Sequence, residues 1–125
     1  MIQLDTSALI AALSGARNAA PTLRRFVQDG IRLGVCTLVL YEWWRGPRTE
    51  QEMKHQELLF PRAAAFAFGV REAAIAAELY RRLKRPRGRE LDFAIAACAL
   101  AQGAALWTLN PDDFDDVPDL ELAGV

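Results

Sequence analysis

Three carboxylates stand alone inside segments that are otherwise apolar enough to be core. Asp5 closes Met-Ile-Gln-Leu-Asp. Glu42 lies in Thr-Leu-Val-Leu-Tyr-Glu-Trp-Trp-Arg-Gly, and Asp92 opens Leu-Asp-Phe-Ala-Ile-Ala-Ala-Cys-Ala-Leu. A charge buried in such a segment is costly unless it is paired or binds a cation. Three such groups, far apart in sequence, suggest one site assembled by the fold. Residues so far apart in sequence meet only if the chain returns repeatedly to one edge of its core.

The local pattern supplies such a fold. Residues 2–5 read as a short strand, after which Thr6 or Ser7 can cap a helix through about Leu13. Ser14-Gly15 breaks it, and a second helix runs from Pro21 to Gln28, with Gly30 just past its end. Leu33 to Cys36 reads as a strand, and Thr37 as the cap of the helix bearing Glu42. A polar helix follows from Thr49 to Leu59. Ala64 to Phe68 is short and apolar enough for a buried strand. From Val70 the residues Val70, Ala73, Ala74, Ala77, Tyr80 and Leu83 recur at the spacing of one helix face. Glu90 to Ala101 is a helix apolar nearly all round, stopped by Gly103. Ala105 to Leu109 is a strand, and Leu120 to Leu122 a last edge strand. Strands alternating with helices predict α/β architecture, a parallel sheet with helices on both faces. No repeat, long linker or second domain interrupts the 125 residues, so residues 1–125 read as one domain.

The 52% hydrophobic content supports a core without disulfides. Cys36 and Cys98 form no CxxC motif and lie in apolar runs, as reduced core residues of a cytoplasmic protein do. No apolar run reaches the roughly 20 residues of a membrane span, and no basic leader precedes Ile2. The net charge of −1 excludes a polybasic arm. Charge is nevertheless segregated: Arg81 to Arg89 is basic, and Asp112 to Glu121 acidic.

In a parallel α/β sheet, sites form at the carboxyl ends of strands. Asp5 ends the first strand, and Asn110 follows the strand at Ala105, with Asp112 and Asp113 beyond. Asp92 falls in the first turn of its helix, where the dipole favours an anion. Carboxylates gathered together raise one another's pKa values, and a divalent cation reverses that effect. An oxygen-only donor set points to Mg²⁺ or Mn²⁺ rather than zinc. Such an ion can activate water and stabilise charge on a phosphodiester.

Four segments in order then match a family: Leu4-Asp5-Thr6-Ser7-Ala8-Leu9, Tyr41-Glu42-Trp43-Trp44-Arg45-Gly46, Asp92-Phe93-Ala94-Ile95-Ala96-Ala97, and Thr108-Leu109-Asn110-Pro111-Asp112-Asp113-Phe114. The chain resembles PIN-domain ribonucleases, most of all the small VapC-type toxins of bacterial toxin–antitoxin pairs. The resemblance spans essentially the whole chain. It implies a three-layer α/β/α domain with a mostly parallel five-stranded sheet, and Mg²⁺- or Mn²⁺-dependent endoribonuclease activity. It also implies a small cognate antitoxin and a homodimer. Asp5, Glu42 and Asp92 match the most characteristic acidic positions, and Thr6 and Ser7 a polar position that helps hold the site. At the fourth corner this chain has Asn110 where many relatives have Asp. Asp113 fits the variant with an acid three residues on. Asn110 can ligate only through its carbonyl oxygen.

Each residue also has a plainer reading. Asp5 can be a helix cap, Glu42 the partner of Arg45, and Asp92 a dipole-complementing anion. Arg85, Arg87 and Arg89 either line an approach for RNA phosphates or complement a helix end. Asp112, Asp115 and Asp116 read as surface charge, and His55 as a surface residue. One of Trp43 and Trp44 packs inside while the other reaches a partner surface. Two other functions compete. One is a PIN-fold binding module with weak catalysis, suggested by Asn110. The other is phosphoryl transfer through Asp5, disfavoured because Ser7 stands where many such enzymes carry a second acid.

Overall fold

The computed structural model describes residues 1–124. The elements are β1 (Ile2–Leu4), α1 (Thr6–Ser14), α2 (Ala20–Gln28), β2 (Leu33–Gly34), α3 (Thr37–Arg45), α4 (Glu50–Leu59), α5 (Val70–Arg82), α6 (Glu90–Ala101), β3 (Ala105–Trp107) and β4 (Leu122–Ala123). The strands form one parallel sheet in the order β2-β1-β3-β4. The crossover from β1 to β2 and the return to β3 run in opposite directions. Right-handed connections therefore place their helices on opposite faces. The helices of the second connection divide: α3 and α4 lie against α1, while α5 lies along α6, which α3 also touches.

The sheet has four strands among the described residues, not the five expected. The segment read as the missing strand, Ala64 to Phe68, opens as a 3₁₀ turn at Arg62–Ala64. Only Phe66 pairs, in a single parallel bridge to Cys36. Its N–H donates to the Val35 carbonyl at 3.0 Å, and its carbonyl accepts from the Thr37 N–H at 2.9 Å. An alanine-rich run following Pro61 has little side chain to pack on a sheet face, and one well-packed aromatic holds the edge instead. The Phe66 ring lies so close to Gly34 that a Cβ there would stand 2.8 Å from it.

α6 follows its composition. Every residue from Phe93 to Ala99 is buried, as a helix apolar all round requires. α5 does not follow its pattern. The stripe Val70, Ala73, Ala74, Ala77 and Tyr80 faces solvent, with Val70 90% exposed. Leu79 is buried, and Ile75 and Leu83, four residues to either side of it, pack against the core. In an alanine-rich helix the bulky side chains choose the buried face, because they bring most of the apolar area. Trp43 is fully buried, while Trp44 is 40% exposed and donates its indole N–H to Gln56. Cys36 and Cys98 are buried free thiols. No helix among the described residues is long and apolar enough to cross a membrane.

Candidate functional site

Strand register builds the first half of the site. Leu4 is paired with Trp107, so the chains leaving β1 and β3 put Asp5 beside Thr108. Asp5, not Thr6 or Ser7, caps α1. Its extended backbone turns into the helix while its Oδ1 accepts the Ala8 N–H at 2.9 Å. Ser7 Oγ donates to the same oxygen at 2.7 Å, and Thr108 Oγ1 donates to Oδ2 at 2.5 Å. Both hydroxyls then accept from the segment beyond β3: Ser7 from the Leu109 N–H and Thr108 from the Asn110 N–H, each at 3.0 Å. Asp5 is only 5% exposed. Three of the roughly four acceptor positions of its carboxylate are taken. The cap reading and the site reading of Asp5 thus describe one group.

Glu42 projects from the middle of α3. Thr6 Oγ1 donates to its Oε1, and Arg45 donates to its Oε2 at 3.2 Å. The Arg45 guanidinium also lies over the Tyr41 ring, 5.2 Å from its centroid. Thr6 and Ser7 therefore divide their work: one orients Glu42, the other Asp5.

Asp92 sits in the first turn of α6. Its carboxyl is pushed up from the usual 3.8 to about 6. Burial is the main cause, followed by repulsion from Asp113, Asp5 and Glu42. Arg89 opposes the rise. Four acids from α1's cap, α3, α6 and the turn after β3 thus share one electrostatic neighbourhood. Asp113 belongs to a 3₁₀ turn at Pro111–Asp113 and is exposed. It stands first among the acids that repel Asp92. Asn110 is exposed, and its side chain makes no cap bond; its carbonyl accepts the Asp113 N–H at 3.0 Å.

The basic segment divides. Arg85 and Arg87 are exposed. Arg89, at the start of α6 and read with them as either a phosphate contact or a helix-end cation, is engaged by protein acceptors. It donates to both carboxylate oxygens of Asp116, at 2.6 and 3.0 Å, and to the carbonyls of Lys84 and Asp113. Asp116, read as surface charge, is exposed and is the ion-pair partner of Arg89. His55 is exposed. Thr108 and the Arg89–Asp116 pair were not singled out from the sequence. For Thr108 the available signal was a hydroxyl one residue past a strand that neighbours the strand ending in Asp5. For Arg89 and Asp116, 27 residues apart, no local pattern marks the pairing.

The acids that act on Asp92, namely Asp113, Asp5 and Glu42, offer only oxygen donors, which suits a hard divalent cation. Among the described residues, no three Asp, Glu, His or Cys side chains converge closely enough to enclose an ion directly. The mutual repulsion at Asp92 is what a cation would relieve.

This architecture coincides with that of a known family. The PIN domain model matches residues 2–120, and the chain belongs to that family. Several solved structures are similar to it. VapBC2 from Rickettsia felis, bound to a DNA fragment from its promoter, aligns with 22% identity and a TM-score of 0.74, covering 98% of this chain and 97% of that one. VapBC-1 from nontypeable Haemophilus influenzae aligns with 25% identity and a TM-score of 0.72, covering 98% and 96%. A toxin–antitoxin complex from Klebsiella pneumoniae aligns with 23% identity and a TM-score of 0.71, covering 96% and 95%. Comparison with curated protein sequences returns no match.

Proposed function

We propose that this chain is a Mg²⁺- or Mn²⁺-dependent endoribonuclease, the toxin of a cytoplasmic toxin–antitoxin pair. The observation that carries the reading is Asp92, raised to about 6 by burial and by three converging acids. Burial alone raises a carboxyl, whereas the further rise from Asp113, Asp5 and Glu42 is repulsion that a bound cation would relieve. Family membership and the whole-length likeness to VapBC complexes support the same conclusion.

Asp5, Glu42, Asp92 and Asp113 would hold the ion, with Asn110 able to contribute its carbonyl oxygen. The ion would supply an activated water and stabilise charge on the scissile phosphate. The chain's own residues set the geometry. Thr108, Ser7 and the Ala8 N–H hold Asp5 so that one acceptor position stays free. Thr6 and Arg45 fix both oxygens of Glu42. Asp92 gives up its proton as the site gains charge. Arg85 and Arg87, exposed just ahead of α6, would supply the positive field that draws a polyanion toward an acidic centre.

A small antitoxin and a second copy of the chain are the proposed partners. The exposed stripe Val70, Ala73, Ala77 and Tyr80 on α5 supports an apolar interface. Incubation of the purified chain with RNA and Mg²⁺ tests the activity. Cleavage should vanish with EDTA and fall at least about 100-fold in Asp92→Asn, the range for removing a group used in the transition state. Undiminished cleavage by that variant would remove the mechanism. Asn110 favours a second reading, an RNA-binding module without cleavage. Calorimetry with Mn²⁺ separates the two, since a site that depends on Asp92 contradicts an inert domain.

A further inference from the structure

Arg89 lies immediately before α6 and uses both terminal nitrogens at once. Nη1 donates to Asp116 Oδ2 and to the Lys84 carbonyl, each at 3.0 Å. Nη2 donates to Asp116 Oδ1 at 2.6 Å and to the Asp113 carbonyl at 3.2 Å. Its guanidinium also covers the Phe93 ring, 4.6 Å from the centroid. Planar, two-pronged pairing of this kind fixes geometry as well as charge. The pairing spans two elements: Arg89 and Phe93 belong to the start of α6, which carries Asp92, while Asp113 and Asp116 belong to the turn after β3. One acceptor is the backbone of Asp113 itself.

We propose that Arg89 is a positioning residue: with Asp116 it clamps the Asp113 turn against the first turn of α6 and so sets the spacing of Asp113 from Asp92. The inference rests on the metal-site reading above. The turn has its own core anchor in Phe114, 1% exposed, so loss of the clamp loosens Asp113 without unfolding the domain. The clamp also disposes of the arginine's other role, since a guanidinium with four protein acceptors has little left for a phosphate.

Calorimetric titration of the full chain with Mn²⁺ tests this in wild type, Arg89→Ala, Arg89→Lys, Asp116→Asn and the double variant Arg89→Ala/Asp116→Asn. Arg89→Ala and Asp116→Asn should each weaken Mn²⁺ binding about tenfold, the usual effect of removing a group that orients a ligand. The double variant should be no weaker than Arg89→Ala. Arg89→Lys, which keeps the charge but not the fork, should fall between. Hydrogen exchange on the cation-free chain should speed at the Asp113 and Phe114 amides while α6 keeps its protection. Unchanged Mn²⁺ affinity in Arg89→Ala overturns the clamp. So does a loss in Arg89→Ala with none in Asp116→Asn, which would make Arg89 a bare charge beside the acids. A wild type that binds no Mn²⁺ overturns the metal reading and the clamp together, whereas wild-type binding with unaffected variants overturns the clamp alone.

Discussion

Asp5 and Asp113 both act on Asp92 and are held by opposite means. Asp5 is 5% exposed, and its three hydrogen bonds come from the helix it caps and from Thr108 at the end of the neighbouring strand. Asp113 is exposed on a short turn, held by a backbone bond to Asn110 and by Arg89 from α6. One acid is placed by sheet register and core packing; the other by a partly exposed ion pair whose own side chains are 21% and 39% accessible. Such pairs contribute little to stability and weaken with salt. The site therefore combines a fixed half with an adjustable half, and the two should respond differently to the same kind of damage.

The largest expected effect strikes the base of the adjustable half. Phe114→Ala removes a buried aromatic under the turn and should cost about 3–5 kcal/mol in a urea titration. A cost below about 1 kcal/mol would mean that the clamp, not the core, anchors the turn. Next is Thr108→Val on the fixed half. It leaves the buried Asp5 Oδ2, and the part-buried Asn110 N–H, without these partners and should cost about 2–3 kcal/mol. Asp116→Asn, which damages the other half, should cost about 1 kcal/mol or less. Equal losses for the two would erase the proposed contrast.

A pH series separates stability from metal binding. Because Asp92 titrates at about 6 in the fold instead of the usual 3.8, the folded chain binds more protons than the unfolded chain between those values. Stability of the cation-free protein should therefore be greatest at the acid end of that window and decline as pH rises through about 6. Metal binding should run the other way, weakening as pH falls below about 6, because the proton competes for the same carboxylate. Asp92→Asn should flatten the first profile and abolish the second. Thermal midpoints and Mn²⁺ isotherms across pH 4.5–7.5 read both; a cation-free protein that gains stability as pH rises through the window would contradict the burial of an ionised Asp92.

What the sequence made legible follows from the range of each interaction. The lone charge at Asp92 in an all-apolar helix and the hydrophobic end of β1 are local facts, and they located both groups. The strand at Phe66 and the buried face of α5 were misplaced because alanine is ambiguous: it fits strand or helix, inside or out, until larger neighbours decide. Thr108 and the Arg89–Asp116 pair stayed hidden for another reason. Their roles exist only after β3 returns beside β1 and the following turn folds back on α6. Asp113 lay between these cases, visible as one acid among several in an acidic run, and distinguished only by its place next to Asp92.

The smallest effect is the finest test of that place. Asp113→Asn removes an exposed charge, so folding stability should change by no more than about 0.5 kcal/mol. It also removes the first of the three acids that repel Asp92. The Asp92 midpoint, followed by carboxyl NMR in the cation-free chain, should move down, and by more than in Glu42→Gln. It should still remain above 3.8, because burial is the larger cause and the substitution leaves it untouched. A midpoint that does not move would show that Asp113 is too mobile to act on Asp92, and the turn would lose its claim to the fourth corner. A midpoint that moves in Asp113→Asn and shifts partway in Arg89→Ala would tie the adjustable half to the ion pair that holds it.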